Sequence, residues 1–139
     1  MGDMSRVLLV EDELLISEMI SEFLEEHGFR VHAVGTATEA LLYLGSGSEV
    51  DILFTDINLP GGMDGVTLAQ RARELRPDLA VVYTSGRFGR IEQLKAVTGA
   101  AFVPKPYHPE KVCALLEQIA RPRFAGFRPC EPARAHAYA

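Results

Sequence analysis

The sequence predicts a doubly wound α/β domain, in which helices cover both faces of a parallel sheet. Five short apolar runs alternate along the chain with five longer segments of helical periodicity. The first run, residues 7–10, is continuously apolar, which is typical of a strand buried on both faces. Turn and cap residues separate the segments.

The predicted strands are short and lie between turn residues. Arg30–Val34 is a short run in which apolar and polar residues alternate, as in many strands. The five predicted strands occupy residues 7–10, 30–34, 52–55, 79–84 and 101–103.

The predicted helices are marked by apolar spacing and by their ends. The first covers residues 13–27 and is followed by Gly28 at the C′ position. The second starts at Thr36, where Glu39 completes a capping box, and ends at Gly45. The third starts at Asp64 or Gly65 and ends before Pro77, the fourth covers about residues 88–97, and the fifth starts at Pro109.

Length and composition limit the possible functions. The chain has 139 residues, of which 47% are hydrophobic, and a formal net charge of −5. We expect one domain at residues 1–121 and a short extra segment at 122–139. No apolar run approaches the roughly 20 residues that span a membrane, and the start lacks a signal-peptide pattern, so we expect a cytoplasmic protein. The negative charge argues against nucleic acid as the main partner.

The last segment differs in composition from the rest of the chain. Residues 123–139 contain three arginines and one glutamate, with two prolines, five alanines and no strand or helix period. This composition predicts a flexible extension, and an interaction segment is the alternative. Cys130 lies here, and with only Cys113 elsewhere the chain has no disulfide framework.

Polar residues stand at the ends of four predicted strands. Glu11 and Asp12 follow the first, Asp56 the third, Thr84 closes the fourth, and Lys105 comes just after the fifth. The carboxyl ends of parallel strands meet at one edge of a sheet, so we expect these side chains to form one site. Three carboxylates, a hydroxyl and an ammonium suit a divalent cation and a phosphoryl group.

Each of these residues has a predicted chemical role. Asp56 is the candidate nucleophile, since a carboxylate can form an aspartyl phosphate. Oxygen ligands select Mg²⁺ or Mn²⁺, held by Asp12, Asp56 and a backbone carbonyl of the next loop, with Glu11 acting through water. Thr84 and Lys105 would contact phosphoryl oxygens. Taken singly, each residue has an ordinary structural explanation, such as an acidic helix start, a turn or a loop lysine.

Four segments, LLVEDE, LFTDINLPGGMDG, VVYTSG and FVPKPY, occur in this order. With this spacing the chain resembles the receiver domain of two-component response regulators, the CheY-like family, over about residues 5–121. The resemblance implies a flavodoxin-like fold with strand order 2-1-3-4-5. It also implies that Asp56 accepts a phosphoryl group from the phosphohistidine of a sensor histidine kinase or histidine phosphotransfer protein, and that Thr84 and Lys105 hold that group.

The resemblance also implies supporting roles. Glu11 and Asp12 would be the acid pair for Mg²⁺, with the backbone carbonyl of Asn58 as a further ligand. Thr84 would move toward the phosphate and Phe102, at the switch-aromatic position, would turn inward behind it; a plain core aromatic is the alternative. The fourth helix, fifth strand and fifth helix would then bind an unknown downstream protein or a second copy in a homodimer.

Three features depart from the commoner family pattern. The loop after Asp56 carries an extra glycine at Gly61-Gly62, which adds flexibility beside the predicted metal site. Phe102 lacks the hydroxyl that a tyrosine would bring. We also expect no output domain, so that DNA binding is not encoded in these residues.

The sequence therefore favours a stand-alone receiver that signals through phosphorylation-dependent protein contacts and is not an enzyme acting on other substrates. A receiver excised from a longer protein is a related possibility. A Mg²⁺-dependent phosphohydrolase with an Asp nucleophile, similar to the haloacid-dehalogenase phosphatases, is an alternative; those enzymes carry D-x-D-x-T, and Asn58 stands where the second Asp belongs. A phosphorylation-independent scaffold is the third hypothesis, against which the complete set of site residues argues.

Overall fold

The protein is built on a parallel sheet, and its computed structural model describes residues 5–86, 96–105 and 107–120. The strands are β1 (Arg6–Val10), β2 (Arg30–Val34), β3 (Ile52–Asp56), β4 (Ala80–Ser85) and β5 (Ala101–Pro104). They form one sheet in the order β2-β1-β3-β4-β5, with every neighbouring pair parallel. The predicted fold class and strand order are confirmed.

The described residues contain four helices, which are α1 (Leu14–Glu26), α2 (Ala37–Gly45), α3 (Gly65–Leu75) and α4 (Pro109–Ala120). The predicted helix at about residues 88–97 falls mostly outside the described residues, as does the segment 122–139. The element α4 is therefore the fifth helix predicted from the sequence. In the described ranges, no helix has the length and apolar character needed to cross a membrane.

Local side-chain caps set the starts of two helices. Thr36 Oγ1 accepts a hydrogen bond from the N–H of Glu39 at 3.1 Å, and Asp64 Oδ1 accepts one from the N–H of Thr67 at 2.8 Å. Each such cap satisfies an otherwise unpaired N–H and typically stabilises a helix by about 1 kcal/mol. Gly28, with φ of 98°, follows α1 at the predicted turn.

Apolar side chains fill a core on each side of the sheet, because successive strand residues point to opposite faces. One core packs against α2 and α3, and includes Leu8, Val10, Leu53, Val81 and Tyr83. The other packs against α1 and α4, and includes Val7, Leu9, Ile52, Phe54 and Val82. Every residue of β3 is buried, whereas the edge strand β2 is partly exposed.

The strand register brings the polar strand ends together. Asp56 is the register partner of Thr84, and Thr84 is the partner of Val103 on the next strand. By the alternation of strand side chains, Asp56 and Thr84 belong to the same face as Phe54 and Val82, which pack against α1 and α4. The sheet thus places the candidate nucleophile and the hydroxyl side by side.

Gly65 allows α3 to start directly against the end of β3. Its N–H donates to the carbonyl of Ile57 at 2.8 Å. A Cβ at this position would overlap the carbonyl oxygen of Asp56 and lie 2.9 Å from Ile57 Cα. Because these are backbone atoms, no side-chain movement could relieve the overlap.

We expect Gly65→Ala to destabilise the protein by about 1–3 kcal/mol, since the methyl group must displace backbone. Gly45→Ala is the matched control, because a Cβ on Gly45, the last residue of α2, meets nothing within 4 Å. That control should leave stability unchanged or raise it by up to about 1 kcal/mol. Urea unfolding of both variants measures the difference, and wild-type stability for Gly65→Ala would contradict the close approach.

Candidate functional site

Lys105 lies between two carboxylates at the carboxyl edge of the sheet. Its Nζ is 2.8 Å from Asp56 Oδ2 and 3.2 Å from Glu11 Oε1. The Asp56 and Glu11 side chains are almost fully buried, and that of Lys105 is 21% exposed. Two like charges placed so close are costly without a counter-charge, which the ammonium supplies here.

Backbone hydrogen bonds continue the sheet past its strand ends and position these side chains. The N–H of Lys105 donates to the carbonyl of Ser85 at 3.0 Å. The N–H of Ile57, which follows Asp56, donates to the carbonyl of Thr84 at 2.9 Å. The candidate nucleophile and the lysine are therefore both tied to β4.

Asp56 is held through both of its carboxylate oxygens. Oδ2 accepts from Lys105, and Oδ1 accepts from the N–H of Asn58 at 3.1 Å. The side-chain amide of Asn58 in turn donates to Ser85 Oγ at 3.3 Å. The hydroxyl of Thr55 donates to the Asp56 carbonyl at 2.9 Å. These contacts fix the direction of the carboxylate and tie the loop after β3 to the end of β4.

Three carboxylates form a potential cation site. Glu11, Asp12 and Asp56 each offer an oxygen, and these oxygens lie within 4.8 Å of one another. Glu11 and Asp56 are buried, whereas Asp12 is exposed. Oxygen donors with one side open to water match the preference of Mg²⁺, which keeps several water ligands. The residues present therefore fit the predicted cation.

Burial and charge alter the proton affinity of the paired groups. Burial raises the pKa of Glu11 above its ordinary value, although a hydrogen bond from the N–H of Glu13 and the charge of Lys105 oppose this. Burial opposes the charged form of Lys105, but its hydrogen bond with Asp56 and the charges of Asp56 and Glu11 raise its pKa above the ordinary value. Lys105 is therefore an ammonium throughout the physiological pH range.

The hydroxyl of Thr84 is buried and has no hydrogen-bond partner among the described residues. Thr84 itself is 2% exposed and is the register partner of Asp56. A buried donor without a partner is costly by about 1–3 kcal/mol. This hydroxyl is therefore available to an oxygen that is placed beside Asp56.

Phe102 belongs to the opposite face of the sheet from these polar groups. It is buried in the core against α2 and α3, and its ring lies 5.6 Å from that of Tyr83. The Tyr83 hydroxyl accepts a hydrogen bond from the N–H of Val97 at 3.2 Å. Phe102 thus has the inward position of a core aromatic and lies one strand away from Thr84, and its role as a switch aromatic stays a prediction.

Two residues near the site were missed by sequence reasoning. Nothing in the sequence marks Gly65 except that a glycine stands at the predicted start of the third helix. Tyr107, two residues after Lys105, has a buried hydroxyl without a hydrogen-bond partner in the described part of the chain. Burial, with the nearby charge of Glu11, raises the pKa of Tyr107 to about 12. The phenol therefore stays protonated near the charged cluster.

Comparison with known proteins identifies the family. Residues 7–117 match the response regulator receiver domain. The transcriptional regulatory protein AruR of Pseudomonas aeruginosa is 30% identical over 127 residues, covering 87% of this chain and 51% of that protein. The virulence transcriptional regulatory protein PhoP of Salmonella typhimurium is 33% identical over 120 residues, covering 85% and 53%. The chain thus spans about half the length of these two regulators.

Other relatives agree with this match. The sensor kinase CckA of Brucella abortus is 33% identical over 118 residues, which cover 81% of this chain and 12% of the kinase. A receiver protein from Sinorhizobium medicae superposes with a TM-score of 0.79 at 28% identity, covering 84% of this chain and 94% of that one. The receiver domain of the hybrid histidine kinase CckA gives 0.71 at 29% identity, covering 83% and 98%. By its sequence match and its fold, the chain belongs to the response regulator receiver domain family.

Proposed function

We propose that this chain accepts a phosphoryl group on Asp56 from the phosphohistidine of a sensor histidine kinase or a histidine phosphotransfer protein. One contact supports this function above all, which is the 2.8 Å pair between Lys105 Nζ and Asp56 Oδ2 beside the carboxylates of Glu11 and Asp12. This contact brings the candidate nucleophile and a positive charge together beside the candidate cation site, at one edge of the sheet.

The cation in this proposal is Mg²⁺. Asp12, Asp56 and the backbone carbonyl of Asn58 would hold it, and Glu11 would act through water. When bound, the cation neutralises negative charge on the nucleophile and on the phosphoryl oxygens. The exposure of Asp12 leaves this side of the site open to solvent and to the donor protein.

The residues of the chain carry out the transfer by positioning and charge. A carboxylate oxygen of Asp56 attacks phosphorus, so that a P–O bond forms while the P–N bond to the donor histidine breaks. Lys105 then pairs with a phosphoryl oxygen instead of the carboxylate. Thr84 Oγ1 donates to a second oxygen and gains the partner that it lacks. In this role the chain is a phosphoryl acceptor and not an enzyme that acts on a separate substrate.

Signalling follows from changed protein contacts. We propose that movement of Thr84 acts on Phe102, and that β5, α4 and residues 88–97 form the surface read by a downstream protein or a second copy. The net charge of −5 favours protein over nucleic acid as the partner of this chain. We place the protein in the cytoplasm, with residues 1–121 as the receiver domain and 122–139 as an additional segment.

We expect Mg²⁺ and a small-molecule phosphodonor to add a single phosphate to the wild-type protein, and Asp56→Asn to add none. Intact-mass spectrometry measures the adduct directly. Asp51→Asn is the matched control, since Asp51 precedes the same strand at its other end and accepts a hydrogen bond from the N–H of Arg6, which an asparagine can also accept.

An equal adduct on Asp56→Asn would show that another residue is the acceptor. Wild-type protein that consumes the phosphodonor repeatedly without a lasting adduct would instead favour a phosphohydrolase. A wild-type protein that reacts in neither way would favour the scaffold hypothesis.

We expect Mg²⁺ to raise the thermal unfolding midpoint of the wild-type protein. A ligand that binds only the folded state stabilises it by about 2.7 kcal/mol at a concentration of 100 times its dissociation constant. Asp12→Asn should lose most of this rise, while Glu18→Gln, an exposed acid on α1, should keep it. Identical Mg²⁺ responses of the two variants would rule out Asp12 as a ligand.

We expect Thr84→Val to stabilise the unphosphorylated protein by up to about 1–3 kcal/mol, since it removes a buried hydroxyl that lacks a partner. The same variant should lose the phosphorylation-dependent change in its NMR spectrum, whereas Thr84→Ser should retain it. Thr55→Val is the control of opposite sign, because Thr55 donates a hydrogen bond to the Asp56 carbonyl. Destabilisation of both valine variants would mean that Thr84 already has a partner.

A further inference from the structure

An open groove of about 1060 Å³ lies at the β2 edge of the sheet, between α1 and α2. β2 is the outermost strand and, in the part of the chain that the structure describes, it pairs with β1 alone. The exposed Leu14 and Leu42 and the half-buried Tyr43 contribute apolar surface to this groove. An open strand edge between apolar side chains is a surface to which another peptide segment can bind.

The groove carries strong negative charge. Its end near the site includes Glu11 and Asp12, and the remainder is lined by four exposed carboxylates, those of Glu18, Glu22, Glu25 and Glu39. Among the described residues, no lysine or arginine forms an ion pair with these four. Of the lining residues that the structure describes, His32 alone is basic, and its ring stacks on Tyr43 with centroids 3.8 Å apart. The groove therefore favours a cationic occupant.

Residues 121–139 of the same chain have the complementary composition. They contain four arginines against one glutamate, together with the aromatic residues Phe124, Phe127 and Tyr138. The arginines match the carboxylates of the groove, and the aromatic residues match its apolar side chains. Arginine pairs well with carboxylates because its planar guanidinium can donate two parallel hydrogen bonds.

The starting point and length of this segment allow it to reach the groove. Ala120, the last described residue of α4, packs against the same apolar core as Ile20 and Leu24 of α1. The 13 residues of α1 extend over about 20 Å at 1.5 Å per residue. Residues 121–139 could span about 60 Å when extended, at roughly 3.3 Å per residue. The segment therefore starts beside α1 and is long enough to cross to its groove side.

We propose that residues 121–139 dock into the acidic groove between α1, β2 and α2 of the same molecule. Arginine–carboxylate pairs and aromatic contacts hold the segment, which covers the open edge of the sheet. Exposed ion pairs are weak and screened by salt, so the docked state is in equilibrium with an undocked one. This proposal does not rest on phosphoryl transfer, although Glu11 and Asp12 belong both to the end of the groove and to the candidate cation site.

The chain carries a suitable labelling site for testing this contact. Cys130 lies in the segment, whereas Cys113 is buried and its pKa is raised to about 11 by burial and by Glu117. A nitroxide reagent that reacts with thiolates should therefore label Cys130 first. Labelling of a Cys113→Ala variant checks that the nitroxide occupies one position.

Amide NMR of the full chain with the nitroxide on Cys130 tests the docking. We expect broadening of signals from residues 17–25 of α1 and 32–35 at the end of β2, and unchanged signals from β5 at the other edge of the sheet. The broadening should fade at about 1 M salt, where the screening length falls to about 3 Å. Uniform broadening, or broadening confined to other surfaces, would overturn the proposal.

Two further comparisons test which surface the segment contacts and whether that surface belongs to the same molecule. Glu18→Gln combined with Glu22→Gln should reduce the broadening, while Glu74→Gln with Asp78→Asn, which removes two exposed carboxylates elsewhere, should not. Equal effects of the two double variants would overturn the proposed site. A second sample mixes ¹⁵N-labelled chains that carry no nitroxide with nitroxide-bearing chains that carry no ¹⁵N. Broadening of the ¹⁵N-detected signals in this mixture would show binding between copies and exclude docking within one molecule.

Discussion

The candidate site of this protein depends on the positive charge of Lys105, which balances the negative charges of two buried carboxylates. Its ammonium lies 2.8 Å from Asp56 and 3.2 Å from Glu11, and both carboxylates are buried. Without that ammonium, two negative charges would face each other in a poorly solvated place. The lysine is placed by the bond from its N–H to the Ser85 carbonyl. The side chains that follow β1 and β5 and the side chain that ends β3 therefore depend on one another for their positions.

The parallel sheet makes this interaction possible, because crossover connections bring every strand to the same edge at its carboxyl end. Helices on both faces bury the strands and keep the register fixed, so Asp56 stays beside Thr84. At Gly65 the backbone of α3 approaches that of Asp56 closely enough to exclude a side chain. Asp56 is thus held from three directions, by its neighbouring strand, by the lysine and by the start of α3.

Sequence reasoning could predict what depends on local pattern. Periodicity and strand-end position identified the fold class and placed Asp56, Thr84 and Lys105 at one edge, whereas the strand order came from family resemblance. The burial of Glu11 beside an exposed Asp12 could not be predicted, since it depends on how distant segments pack. The same holds for the close approach at Gly65. The roles of all these residues stay predictions, as does the flexibility of the segment 122–139.

Neighbouring residues of β4 connect the charged edge with the opposite core. Thr84 belongs to the face that packs against α1 and α4, while Tyr83 belongs to the core against α2 and α3 and contacts Phe102. The Tyr83 hydroxyl also binds the N–H of Val97, just before β5. Because Thr84 and Tyr83 are consecutive residues of β4, the backbone of this strand connects the polar edge with the aromatic pair in the opposite core. In a chain whose Phe102 has no hydroxyl, Tyr83 provides the polar link from this aromatic pair to the segment that precedes β5.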